Sequence, residues 1–420
     1  MPKPNPIVPC ALLGACVLAL YASPLQAGWT WSGSAQAQLA AQAQRANPAL
    51  AAWQAGGLHA QGYGKGAALE SRFGLRYASE DPERLTLGAH VSALARASSS
   101  EDQGRKLGLL EAFVDIGALD FEGWRIRTGL SFAGTSRENS AAFWQTPYTL
   151  SLSALNSWIG EEFRPLGIGF AKRWQGAQQS LDLETQIYQG NDTGPTLLAW
   201  RGFALHNRLS VLGEIVPLPP LTTLRPGMPF GDQRSDGTQP FGPDLDGRLG
   251  YSLRLRVQSP ELSYSLFVTD NRGDQDLHDG DEYAWRNRFA IAGFNWQISP
   301  DWALLGEAMS GRTEMGFPPG PNVQARFNTQ YLLLTRSLSD WTVSARVERF
   351  VVHEADFSAE RNDQRGRAFT LAALRQVDAW NYGVEYQYAD IERPGNAQID
   401  FPTAQGGSQL TALIRWYWGE

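Results

Sequence analysis

The closing stretch SQLTALIRWYWGE constrains the fold more tightly than any other part of the chain. Leu410, Ala412, Ile414, Trp416 and Trp418 alternate with Gln409, Thr411, Leu413, Arg415 and Tyr417, and a period of two puts the two sets on opposite faces of a β-strand. In a water-soluble sheet the apolar face would be the core; in a bilayer barrel it would be the outside.

Segments of the same kind recur along the chain. Leu85-x-Leu87-x-Ala89-x-Val91-x-Ala93 and Trp341-x-Val343-x-Ala345-x-Val347 are two of them. Trp124, Ile126, Thr128 and Leu130 alternate with Arg125, Arg127, Gly129 and Ser131, and the odd positions from Leu249 to Val257 alternate with Arg248, Gly250, Ser252, Arg254 and Arg256. Each predicts one membrane-crossing strand of roughly 9 to 11 residues. No uninterrupted apolar run long enough for a helical span follows the N-terminal segment.

The connections sharpen the reading. Tight turns near 81–82, 175–177, 259–261, 299–301, 338–340 and 377–380 alternate with long segments, the asymmetry expected of short periplasmic turns and longer external loops. The spacing predicts strands near 30–44, 68–78, 84–96, 106–117, 123–132, 165–174, 179–189, 198–206, 208–216, 248–259, 261–270, 286–298, 301–312, 326–337, 340–351, 367–377, 380–391 and 408–418. The expected fold is therefore all-β, a transmembrane antiparallel barrel of about 18 strands, with both termini on the periplasmic side. Sixteen strands is the alternative, because 198–216 and the Ala/Gln-rich 30–44 alternate least regularly. Trp124, Trp174, Trp296, Trp302, Trp341, Trp380 and Trp416 fall near strand ends, where an aromatic girdle would lie. A polar lumen also explains a mean hydropathy of −0.32 in a membrane protein.

Residues 1–27 carry one lysine, no acid and an apolar stretch that ends in a small residue, which reads as a secretory signal peptide. The barrel would then occupy residues 28–420, in the outer membrane of a Gram-negative cell. Cys10 and Cys16 both fall within the signal, so the mature chain would have no disulfide. A net charge of −7 argues against a nucleic-acid partner.

Charge on the lipid face is costly at mid-bilayer, so the polar face of each strand should point inward. That rule places Arg84, Arg96, Arg125, Arg127, Arg173, Arg254, Arg256, Arg346 and Arg415 in the lumen, with Glu111, Asp115, Asp182, Glu184, Glu307, Glu348 and Glu385. Two arrangements are open: opposite charges laddered across neighbouring strands, or arginines clustered to attract an anion. The long connection 133–164 is expected to fold, either inward as a constriction formed by Arg137, Glu138, Glu161, Glu162 and Arg164 or outward as a flap on the rim. The acidic stretch 270–282 starts like a calcium loop, but Asp279 stands where glycine is needed and Trp285 where an acid is, so it reads as a solvated loop.

The five histidines are scattered and none has a serine and carboxylate at a recognisable spacing, so the sequence predicts no catalytic site, metal or cofactor. The expected partners are outer-membrane lipid and lipopolysaccharide, small solutes, and other copies of the chain in a homotrimer, if it is not a monomer. An outer-membrane enzyme and a closed barrel that binds lipid or a partner are the competing functions.

Leu110-Glu111-Ala112-Phe113-Val114-Asp115 followed by Trp124-Arg125-Ile126-Arg127-Thr128-Gly129-Leu130 resembles a strand pair of the phosphate-selective porin family, and the segments 190–208 and 270–289 resemble porin-like outer-membrane proteins. The resemblance implies a porin fold and passive transport. The family's phosphate ladder is rich in lysine, whereas this chain has only Lys3, Lys65, Lys106 and Lys172. Such barrels commonly finish on an aromatic residue, whereas here Gly419 and Glu420 follow Trp418.

Overall fold

The computed structural model of the chain describes residues 27–42, 65–79, 86–98, 105–118, 123–233, 236–241, 244–356 and 361–419. The expected signal segment and Arg84 lie outside the described residues, apart from Ala27, which opens the first strand.

Sixteen antiparallel strands close into one barrel. They are β1 (Ala27–Gln42), β2 (Lys65–Ser79), β3 (Thr86–Ser98), β4 (Leu107–Ala118), β5 (Trp124–Leu130), β6 (Leu166–Gln175), β7 (Ser180–Gln189) and β8 (Gly250–Gln258), followed by β9 (Leu262–Asp270), β10 (Arg286–Gln297), β11 (Trp302–Met315), β12 (Val323–Leu338), β13 (Trp341–Glu354), β14 (Gln364–Val377), β15 (Trp380–Glu392) and β16 (Ala404–Gly419). The opening motif closes the ring: Ser34 pairs with Tyr417, Gln36 with Arg415 and Gln38 with Leu413 across β1 and β16. A closed ring leaves no unpaired edge, which backbone in hydrocarbon requires.

The alternation sets the facing. Leu410, Ile414 and Trp416 of β16 are exposed on the outer surface, while Gln409, Thr411, Leu413 and Arg415 are buried inside. The same holds for Tyr382, Val384, Tyr386 and Tyr388 of β15 against Asn381, Glu385 and Gln387. Trp174, Trp296, Trp302, Trp341, Trp380 and Trp416 are exposed at the short-turn end, and the Arg336 guanidinium lies 5.1 Å from the Trp302 ring centroid. No helix among the described residues is long and apolar enough to cross a membrane.

The expected count of 18 is corrected to 16. The segments 198–206 and 208–216 are not wall strands; the chain from Thr196 to Val216 forms a short helix, α2 (Thr196–Trp200), and an extended coil. Leu197, Leu198, Phe203, Leu205, Leu209 and Val211 are almost fully buried in the lumen. Their apolar side chains serve an interior core rather than a lipid face, which is why a lipid-facing period misread them. Gly202, at φ +83°, turns the chain after α2, and a Cβ there would strike the Gln364 side chain. That turn lets Gln364 of β14 accept from Phe203 N–H at 2.7 Å and donate to Phe203 C=O at 2.9 Å, as a neighbouring strand would.

Residues 131–165 also fold inward, around helix α1 (Ala154–Glu162). Ser153 caps it by accepting from Asn156 N–H at 3.2 Å. Trp158 meets Phe289 edge-on at 5.2 Å, and Phe163 meets Tyr188, Phe267 and Phe289 in the same way. These rings join Phe327 and Phe350 of the wall in one aromatic core inside the barrel. Each such side chain taken from water contributes roughly 1.5 to 3 kcal/mol.

Candidate functional site in the lumen

The arginines expected to line the lumen, where they fall within the described residues, have their register positions on the inner face, but with very different partners. On β13, Arg346 is wholly buried. It contacts Glu348 at 3.0 Å and Glu138 at 3.4 Å, and donates to Ser151 C=O at 2.9 Å and Leu152 C=O at 3.1 Å. Three carboxylates complete the anchor. Glu348 accepts from Ala154 N–H at 2.7 Å, Glu385 from Leu150 N–H at 2.7 Å, and Glu307 from Asn156 Nδ2 at 2.9 Å. The segment 149–156 is thereby pinned to β11, β13 and β15.

On the opposite wall, Arg125 and Arg127 of β5, Arg173 of β6 and Arg254 and Arg256 of β8 form a group around Asp115, Asp182 and Glu184. Arg127 binds both oxygens of Asp115 at 2.8 and 2.9 Å and lies over the Phe113 ring. Arg173 contacts Asp182 at 2.7 Å and Arg254 contacts Glu184 at 2.5 Å. Arg125 makes longer contacts, 3.6 Å to Glu184 and 3.9 Å to Asp115. Arg254 also donates to Gly134 C=O at 2.6 Å, tying the inward segment to this wall.

Arg137 joins the group from the inward segment, donating to Ser265 at 3.1 Å. Six guanidinium groups thus face Asp115, Asp182 and Glu184, with Glu307 beside Arg137 as a fourth carboxylate. Arg125 Nε, Arg137 Nη2 and Arg256 Nε are buried donors with no hydrogen-bond partner among the described residues. Beside Arg125, on the periplasmic side of the inward segment, is a cavity of about 600 Å³. Arg76, His90, Asp115, Arg125 and Arg127 line it, and Ala142 and Phe143 roof it.

The remaining constriction residues are buried in contacts of their own. Glu161 contacts Arg201 at 2.5 Å and His206 at 2.9 Å. Burial alone would raise its pKa, but those two side chains hold it well below the usual carboxylate range. Glu162 accepts from Trp158 Nε1 at 2.6 Å and from Leu197 and Leu198 N–H at 2.7 and 2.9 Å, which joins α1 to the first turn of α2. Burial raises its carboxyl well above the ordinary value. Arg164 stacks 3.6 Å from the Phe132 ring centroid and donates to Ser210 C=O at 2.9 Å, and burial lowers its pKa to about 9. Arg96 turns to Glu214 at 2.9 Å, and Arg415 donates to Gln36 at 2.8 Å.

The sequence reading missed Arg201, His206, Arg208 and Glu214, which link the second inward segment to the first and to β3. Arg208 contacts Glu214 at 2.6 Å. Their spacing carries no signal, because the contacts form only once both segments lie in the lumen. Asp192, Asp244 and Asp246 bring carboxylate oxygens within 4.8 Å of one another. They accept N–H groups of Leu245, Gly247 and Arg248, which ties 244–248 to the turn at Asp192. In the stretch 270–282, Asp274 pairs with Arg248 at 2.5 Å.

A closed sixteen-stranded barrel with an apolar outer belt, a charged lumen and an inward segment after β5 has the architecture of the outer-membrane porins. Solved structures agree. OmpF of Salmonella typhi in complex with daunomycin matches with a TM-score of 0.57 and 10% identity, covering 93% of this chain and 97% of that one. The anion-selective porin of Comamonas acidovorans matches with a TM-score of 0.55 and 10% identity, over 94% and 100%. The outer-membrane channel DcaP of Acinetobacter baumannii matches with a TM-score of 0.55 and 11% identity, over 95% and 99%. At such identities the likeness is one of fold. No protein-family model and no curated sequence matches the chain.

Proposed function

We propose that the protein is an outer-membrane channel for passive diffusion of small hydrophilic solutes, anions favoured, with its route along the β1–β8 side of the lumen. One observation carries the reading. Three neighbouring arginines of that wall and its inward segment, Arg125, Arg137 and Arg256, retain guanidinium donors with no partner among the described residues, within a group of six cations and four carboxylates, Glu307 included. A field of that sign raises the local concentration of anions. Diffusion needs no covalent step and no cofactor. Residues 1–27 would direct export, and the barrel would work as a monomer or in a homotrimer.

A planar bilayer holding the refolded mature chain tests the proposal. Steady conductance with an anion-favouring reversal potential in a KCl gradient is expected. Arg125→Ala, Arg127→Ala and Arg254→Ala together should move that potential towards cation preference. An unmoved potential removes those side chains from selectivity.

The aromatic core and the pinned segment 149–156 favour a second reading, a barrel that is closed at rest. If the folded, inserted protein stays silent, the open-channel reading fails. Arg346→Met, which loosens the pinned segment, should then produce conductance where the parent has none.

A further inference from the structure

The outer face carries a group of arginines that the lumen does not use. Strand register sets Arg288 of β10 opposite Arg312 of β11, Arg312 opposite Arg326 of β12, and Arg326 opposite His353 of β13. Arg349 of β13 is opposite Arg367 of β14. Like charges directly opposite on one face of a sheet destabilise it. Some are neutralised: Glu314 contacts Arg288 at 2.5 Å and Arg312 at 3.7 Å, Asp390 contacts Arg367 at 2.8 Å, and Asp363 contacts His353 at 2.9 Å. Arg365 faces Glu392 in the register. Arg326 and Arg349 are exposed, and no hydrogen bond or ion pair to either guanidinium is found among the described residues.

Their height is the informative part. Measured along the strands, Arg288 is eight residues beyond Trp296, Arg312 ten beyond Trp302, and Arg349 eight beyond Trp341. Eight to ten residues on a tilted strand rise roughly 20 to 27 Å, the height of an outer-membrane apolar band. The tryptophans mark the periplasmic boundary of that band, so the arginines stand at the opposite boundary, level with the headgroups of the outer leaflet.

Below them is an apolar groove. Register places Phe294, Gly306, Leu332 and Val347 in one outward row and Ala292, Ala308, Gln330 and Arg349 in the next. The small side chains at Ala292, Gly306 and Ala308 leave a hollow of about 730 Å³, flanked by Phe294 and Leu332 and reaching Gln330 and Arg349. A Cβ at Gly306 would come within 2.7 Å of the Phe294 ring and 2.9 Å of Leu332, so a larger side chain there would push both aside and fill the hollow.

We infer that this face binds a phosphate-bearing lipid of the outer leaflet, its anionic headgroup on Arg312, Arg326 and Arg349 and an acyl chain in the groove of β10–β13. The two parts match the two parts of such a molecule: cations at headgroup height and an apolar slot directly beneath. A second copy of the chain is the poorer occupant, because a symmetric contact through this face would set arginines against arginines.

The test uses detergent-solubilised, folded full barrel titrated with diphosphoryl lipid A, followed by native mass spectrometry. Arg312→Gln, Arg326→Gln and Arg349→Gln together should weaken binding roughly hundredfold, on the basis of about 1 kcal/mol per surface arginine. Ala308→Trp, which fills the groove and keeps every charge, should also weaken it, and fully dephosphorylated lipid A should bind the parent poorly. Heat-modifiable gel mobility confirms that each variant is folded, and the two variants act through different parts of the site. Undiminished lipid A binding by both folded variants overturns the proposal. Displacement of lipid A by millimolar inorganic phosphate would reassign the arginines to a free anion. Loss of oligomers in the triple variant with lipid binding unchanged would assign the face to a second copy.

Discussion

The two walls of the lumen use arginine for opposite purposes. On β13, Arg346 is fully buried and shares Glu348 and Glu138 with the backbone of an inward segment. On β5 and β8, Arg125, Arg127 and Arg254 keep 16 to 26% of their side chains accessible and form a crowded group in which cations outnumber acids. The inward-facing rule is satisfied identically by both. What separates them is enclosure: the inward segment surrounds Arg346 with carbonyls, hydroxyls and carboxylates, whereas on the other wall it reaches Arg254 and Arg256 only through the Gly134 carbonyl and leaves the group partly open. A lumen arginine is therefore a structural residue where an inward segment encloses it and a field-setting residue where the segment only touches its edge.

The largest effect that would break this contrast is expected at Arg346. Arg346→Met leaves three carboxylates around its site without their cation, and removing one partner of a buried pair typically costs about 3 to 5 kcal/mol. The expected outcome is a lower unfolding temperature and larger, noisier conductance. An unchanged channel would mean that the segment is held by its aromatic core alone.

Trp158→Ala tests that core directly. Truncating a buried tryptophan costs about 3 to 5 kcal/mol when the site cannot collapse. Faster protease cleavage within 133–164 is the measurement, and resistance equal to that of the parent would show that Trp158 does not hold the segment inside.

The arginine triple substitution on β5 and β8 should act on the other wall only. It is expected to shift reversal potential with little change in unfolding temperature, because those side chains are partly hydrated. A large loss of stability would make that wall as structural as β13.

The smallest effect is one of pH. Burial raises the carboxyl of Glu138 to about 7, with Arg346 opposing the shift. A carboxyl raised in the docked state favours docking fully below its free value of about 4.5 and loses that contribution as pH rises through 7. Glu161 is held low by Arg201 and His206 and stays ionised across this window, whereas His206, lowered by burial, works in the opposite direction below about 6.5. The difference between parent and Glu138→Gln isolates the first group: parent conductance should rise more between pH 5 and pH 8. Parallel profiles would remove Glu138 from the response.

Much of the wall was legible in the sequence. Sixteen of the expected segments coincide with strands, and the tryptophans near their ends mark one boundary of the belt. The two surplus segments, 198–206 and 208–216, hold Leu198, Phe203, Leu205, Leu209 and Val211, apolar side chains that pack in the lumen and not against lipid. A signal was present on the wall itself. In β10 both Phe289 and Ile291, which point inward, and Ala290 and Ala292, which point outward, are apolar. A strand apolar on both faces must be covered on both, so the lumen beside it had to be filled. The arginine row on the outer face was hidden for a different reason, since Arg288, Arg312, Arg326 and Arg349 come from four strands and align only through their register.

By itself the sequence determined which side of the wall each strand residue faces, because a period of two is a local property of extended backbone and lipid penalises the wrong choice at every position. Tertiary structure decided the partners. Glu138 meets Arg346 across 208 positions and Gln364 meets Phe203 across 161, and such meetings depend on how two long segments close into a shared lumen, which no local spacing encodes.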